Sequence, residues 1–104
     1  ENLYDDERKK ILHAYNEPTE YEIEIPLIIW TSKLYNKTYS TKINNLNKNS
    51  NLKISSVNTF HTLLDLSNIK YPTEKLTQSF VNKQFDSLQK RYFYKTDKTI
   101  LKLD

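Results

Sequence analysis

Apolar residues recur along the chain in two different periods. Over residues 21–25 they alternate with Glu22 and Glu24, and from Leu27 through Ile28 and Ile29 to Trp30 they run without interruption. Alternation marks a strand with one solvated face, and a short unbroken apolar run marks a strand covered on both faces, as in the interior of an α/β sheet. The pattern predicts one interior-type strand over 25–30, with Pro26 near its start, where a missing N–H is tolerated. Glu22 and Glu24 then share a strand face and read as a solvated sheet edge rather than an acid/base pair.

Beyond residue 54 the period changes. Val57, Phe60, Leu63 and Leu64 form a helical stripe, Ser55 or Ser56 can cap its start, and Asn68 can close it in the left-handed conformation. Near the start, Asp5, Asp6 and Glu7 precede Arg8, Lys9 and Lys10, the order a helix dipole favours, which predicts a short helix over about 4–12. Pro18 breaks it by biasing Glu17 away from helix.

Residues 69–72 are a break. Over 73–89 the apolar residues Leu76, Phe80, Val81, Phe85 and Leu88 are spread too widely for one helix face, so that stretch reads as irregular or partly helical. Residues 91–94 and 99–103 are β-prone and flank Lys95-Thr96-Asp97-Lys98, which predicts a C-terminal hairpin. A two-stranded hairpin is marginal alone. A strand buried on both faces also needs neighbouring strands, and the pattern offers none, so a missing N-terminal portion is expected.

Composition sharpens this picture. The 104 residues allow one small domain, and they include no glycine, so positive φ must be served mainly by Asn or Asp. Asn44, Asn45, Asn47, Asn49 and Asn51 read as a turn-rich, solvent-exposed connector over about 36–54. The net charge of +3 comes from sixteen basic and thirteen acidic residues, but the lysines are spread along the chain and the only arginines are Arg8 and Arg91. That disfavours nucleic acid as a partner. The chain has no cysteine, which excludes disulfides and thiolate metal sites without fixing the compartment. No apolar run approaches the roughly 18 to 20 residues of a membrane span, and the first residues lack a signal-peptide pattern, so any export signal is expected upstream.

Candidate chemistry is sparse. His13 and His61 are the side chains that titrate near neutrality at their reference values. His61 lies beside the apolar stripe of the predicted helix and reads as structural; His13, before a Pro-containing loop with Glu17 and Glu20 nearby, is the better candidate for a functional role. Ser32, Thr59 and Thr62 have no nucleophile elbow, neighbouring base or Gly-rich oxyanion loop and read as structural. One histidine with scattered carboxylates does not make a catalytic zinc site.

Four segments in order nevertheless carry a resemblance. Glu1-Asn2-Leu3-Tyr4, Leu12-His13, Ile25-Pro26-Leu27-Ile28-Ile29-Trp30-Thr31-Ser32 and Asn58-Thr59-Phe60-His61-Thr62-Leu63-Leu64-Asp65-Leu66 resemble the C-terminal end of lipid A phosphoethanolamine transferases. Glu1 is similar to the last residue of that family's Ser-Asp-His-Gly-Glu segment. Ala14 departs from the family's usual Gly after Leu-His, and the loop before it is about two residues longer. The resemblance is loose from residue 70 onward.

It implies an α/β, alkaline-phosphatase-like (sulfatase) three-layer domain, of which residues 1–104 form a single C-terminal fragment. It further implies a zinc-dependent enzyme on the periplasmic face of a Gram-negative inner membrane, with a phospholipid donor and a lipid A-type acceptor. The nucleophilic Thr and the Asp-His zinc ligands would lie before Glu1. His13 is carried over as a substrate-phosphate or second-metal contact, and His61 and Trp30 as structural residues. The fragment alone is expected to be inactive, to bind no stoichiometric zinc, and to self-associate through the uncovered edges at 25–30. Sulfatases and phosphoglycerol transferases share the superfamily. A non-enzymatic basic module using the tyrosines and lysines for glycans or nucleic acid is the reading from a different class.

Overall fold

The computed structural model describes residues 4–5, 10–11 and 18–103. It is a small mixed helix and strand structure that divides into two compact units, Glu1–Ile29 with Lys90–Asp104, and Trp30–Gln89.

In the first unit, β1 (Tyr4–Asp5) pairs antiparallel with β2 (Lys10–Ile11), with Tyr4 opposite Ile11. This replaces the helix expected over 4–12: cross-strand pairing overrides the weak preference that acid-before-base order provides. The next element is a single helical turn, α1 (Glu20–Ile23), where strand alternation was expected. Its cause is local. Glu22 accepts from the Thr19 N–H at 2.7 Å and from the Thr19 hydroxyl at 3.0 Å, closing a Thr-x-x-Glu capping box.

The expected interior strand at 25–30 is not formed; residues 24–32 have no regular secondary structure. Ile25, Leu27, Ile28 and Trp30 are exposed, Ile28 at 88%. A both-face-buried strand exists only when ladder partners flank it, and among the described residues this segment has none.

The C-terminal hairpin forms as expected: β3 (Tyr92–Tyr94) pairs with β4 (Ile100–Lys102) in the register Tyr92↔Lys102, Phe93↔Leu101 and Tyr94↔Ile100. Asp97 accepts from the Thr99 N–H at 2.9 Å, and Lys98 takes a positive φ of 67° to close the turn. Here a lysine, rather than Asn or Asp, occupies the left-handed position.

The second unit is helical. Ser32 caps α2 (Lys33–Thr38) by accepting the Tyr35 N–H at 3.1 Å. After a break at Tyr39, α3 (Ser40–Asn49) carries Asn44, Asn45, Asn47 and Asn49 on a regular helix, correcting the turn-rich connector expected over 36–54. α4 (Ser56–Leu66) begins at Ser55, whose N–H is accepted by Asn58 at 2.8 Å. It ends as expected at Asn68, with φ 55°; the paired bonds Asn68 N–H to Asp65 C=O and Ile69 N–H to Leu64 C=O form a Schellman closure. A short 3₁₀ turn, Leu76–Gln78, leads into the buried stretch Ser79, Phe80 and Val81.

Candidate functional site

The face that α4 buries is polar. Asn58, Thr62 and Asp65, spaced by four and then three residues, lie on one side of the helix and are buried, whereas Val57, Phe60 and Leu63 are exposed. The apolar stripe read from the sequence is real, but it is not the stripe this chain covers.

The polar face is fixed by hydrogen bonds to the 77–82 segment. Asn58 donates to the Gln78 carbonyl at 2.9 Å, and Thr62 Oγ1 accepts the Phe80 N–H at 3.2 Å. Asp65 Oδ2 accepts from Ser79 Oγ at 2.8 Å and from Asn82 Nδ2 at 3.0 Å. From α3, Asn49 donates to the Phe80 carbonyl at 2.9 Å and Asn45 to the Val81 carbonyl at 3.1 Å. The segment's backbone carbonyls are thereby satisfied in an irregular stretch that no ladder serves, which is what allows Phe80 and Val81 to be buried.

Lys42 closes the cluster. Its ammonium lies 2.9 Å from Asp65 Oδ1 and 2.9 Å from Asn68 Oδ1, and it also donates to the Asp65 carbonyl. Three donors meet three acceptors, the full capacity of a lysine. Burial by itself would raise the Asp65 carboxyl. The bonds from Lys42, Asn82 and Ser79, together with the Lys42 charge, outweigh it and hold the group below its usual value. Tyr35, which donates to the Leu66 carbonyl, is pushed up by burial and by the proximity of Tyr39 and Asp65.

An ionised carboxylate with both oxygens occupied is neither a poised base nor an open metal ligand, so the cluster acts as a clamp joining α3, α4 and the 77–82 segment. Beside it lies an open groove of about 440 Å³ between residues 38–42 with Asn45 on one side and Leu76 with residues 81–84 on the other. Among the described residues, no three His, Cys, Asp or Glu side chains converge as metal ligands, and no helix is long and apolar enough to cross a membrane.

His61 sits half-buried on α4, its Nδ1 2.5 Å from the Tyr71 hydroxyl and its ring stacked on Tyr71, outside the Asp65 cluster. Trp30 is 84% exposed ahead of α2. His13 lies outside the described residues, as do Glu1 and Leu12. Ser32 is a helix cap and Thr62 an acceptor for backbone, structural roles both. Sequence reasoning missed Asp65, Lys42, Ser79 and Asn82. A polar residue recurring at i, i+4 and i+7 in Asn58, Thr62 and Asp65 was the available signal.

Compared with known proteins, the chain matches no family model, no curated protein and no solved structure.

Proposed function

We propose that the chain is the C-terminal part of a metal-dependent transferase of the alkaline phosphatase superfamily, one that moves phosphoethanolamine from a phospholipid to lipid A or another envelope acceptor. One observation supports this reading above the others. The two longest anchors of the family resemblance, residues 25–32 and the Phe60-His61-Thr62-Leu63-Leu64 stretch, contain six of the large apolar side chains that are bare among the described residues, Ile25, Leu27, Ile28 and Trp30, and Phe60 and Leu63; Leu34 and Leu88 are bare outside them.

Large apolar residues in such concentration mark surfaces built to be covered. In a three-layer α/β domain, residues 25–30 would pair as an interior strand, and α4 would lay its apolar stripe on a sheet completed by the remainder of the protein. The polar face of α4 would then point away from the sheet, held by the Asp65 clamp. In this reading zinc and the nucleophile belong to the remainder of the domain at the periplasmic face of the inner membrane, His13 contacts the substrate phosphate or a second metal, and Trp30 and His61 are structural. The 104 residues alone have no turnover.

The test is a transfer assay on the complete, zinc-loaded protein with phosphatidylethanolamine, phosphatidylglycerol and an aryl sulfate offered side by side. Phosphoethanolamine transfer to lipid A supports the reading. Turnover of either other substrate reassigns the protein within the superfamily, and no turnover of any of the three removes the enzyme reading.

A further inference from the structure

The C-terminal hairpin differs in kind from the other exposed apolar surfaces. Its outer face carries Tyr92, Tyr94, Ile100 and Lys102, all exposed, because Tyr92 pairs across the strands with Lys102 and Tyr94 with Ile100. Phe93 and Leu101, on the opposite face, are half-buried. A face awaiting a protein core would not place a lysine directly opposite an aromatic residue in one of its two cross-strand pairs, since burying an unpaired ammonium is strongly unfavourable.

Charge is segregated to the same place. Residues 90–103 hold Lys90, Arg91, Lys95, Lys98 and Lys102 against the single acid Asp97, whereas the other ninety residues hold eleven cations and twelve acids. The segment thus carries a charge of +4 and the rest of the chain −1, which together give the net +3. Its partner is expected to be anionic.

We propose that the outer face of the hairpin is a docking surface for a bilayer containing anionic phospholipid. Tyrosine is the side chain suited to the boundary between headgroups and hydrocarbon, with an apolar ring and a wet hydroxyl. Ile100 beside Tyr94 supplies aliphatic surface that a stack of nucleobases would not use. Lysines can lay their stems along the apolar edge and keep their ammonium groups among the phosphates. A nucleic-acid surface would be expected to use arginine forks, and this hairpin has Arg91 alone. The proposal does not depend on the transferase reading.

The experiment is vesicle flotation of the chain with phosphatidylcholine alone and with added phosphatidylglycerol, for the parent sequence, Lys102→Gln, Tyr94→Ser and Ile100→Ser. Binding only to the phosphatidylglycerol vesicles, weakened by salt, supports the proposal. Lys102→Gln is expected to lower the partition about fivefold, the usual contribution of one cation at an anionic surface. Tyr94→Ser and Ile100→Ser are expected to lower it severalfold at every salt concentration. Amide shifts of Phe93 and Leu101, on the untouched face, verify that each variant keeps its hairpin. Unchanged partition in these variants, equal binding to both vesicles, or no binding overturns the proposal, as does tighter binding to an oligonucleotide. Failure here with transfer intact in the complete enzyme removes only the membrane surface; vesicle binding without transfer removes only the enzyme reading.

Discussion

Asp65 on α4 and Lys42 on α3 meet at 2.9 Å, and the same carboxylate reaches Ser79 and Asn82 through its other oxygen. Three separate pieces of chain are thus joined at one charged residue that is only 6% exposed. Removing one member of such a buried pair is costlier than the pair's net worth, because the survivor remains desolvated. Asp65→Asn is expected to destabilise the chain by about 3 kcal/mol. Ser79→Ala, which leaves the ion pair intact, is expected to cost about 1 kcal/mol. Urea midpoints of the two variants measured together check the order; equal midpoints would contradict the clamp.

The same group fixes the direction of the acid response. Its carboxyl is held below the usual value in the folded chain, so its stabilising contribution is fully present above the unfolded value, near pH 4, and is lost as pH falls through the folded value. Thermal melts between neutral pH and pH 3 should therefore show a drop in the parent chain that is smaller in Asp65→Asn. An identical acid profile in both would mean that other carboxylates carry the effect.

Asn45 and Asn49 show why part of this fold was not legible in the sequence. Asparagine is a poor helix former and a good turn former, so an Asn-rich run reads as a connector. In the structure its amides are arms that hold the Phe80 and Val81 carbonyls, a long-range use that no local pattern encodes. The interior strand failed for the converse reason: the apolar run in residues 25–30 was legible, but strand formation needs partners. What could be read were the features with local causes, namely the Ser55 cap, the left-handed Asn68 and the C-terminal hairpin. The α1 turn also had a local cause in Thr19 and Glu22, overlooked because alternation was the stronger pattern. The Asp65 cluster escaped because its members span residues 42 to 82.

Asn49→Ala separates the two properties of asparagine. Alanine raises helix propensity by about 0.6 kcal/mol, while an orphaned buried carbonyl costs about 1–3 kcal/mol. A net loss of about 1 kcal/mol is expected, with faster amide exchange localised to Ser79, Phe80 and Val81. A more stable variant with unchanged exchange would mean that the Asn49 bond contributes nothing.

Asn68 tests the closure of α4. A residue with a Cβ at φ 55° costs about 1–2 kcal/mol unless it is Asn or Asp, and glycine avoids the cost. Asn68→Ala should lose about 1 kcal/mol or more, from the backbone and from the Lys42 contact. Asn68→Gly loses the contact but relaxes the backbone, and its unfolding free energy should stay within about 0.5 kcal/mol of the parent. If alanine and glycine were equivalent at this position, the left-handed closure would not be a determinant of the helix end.

The bare apolar residues give the remaining prediction, in which stability and association separate. Phe60 and Leu63 are more than half exposed, so Phe60→Ser and Leu63→Ser should change the unfolding free energy of the 104-residue chain by no more than about 0.5 kcal/mol. A core residue of the same type would lose several times that. Exposed Ile28 and Trp30 should instead make the chain associate as its concentration rises, since uncovered apolar surface and unpaired backbone are templates for a second copy. Sedimentation across a concentration series should show the parent shifting to larger species and Ile28→Lys remaining monomeric. In the complete protein the ordering should reverse: if these surfaces are covered there, Phe60→Ser and Ile28→Lys become strongly destabilising, by about 3 kcal/mol or more. Equal, small effects in both contexts would mean that these side chains face solvent in the whole protein too, and the expectation of a covering sheet would fall.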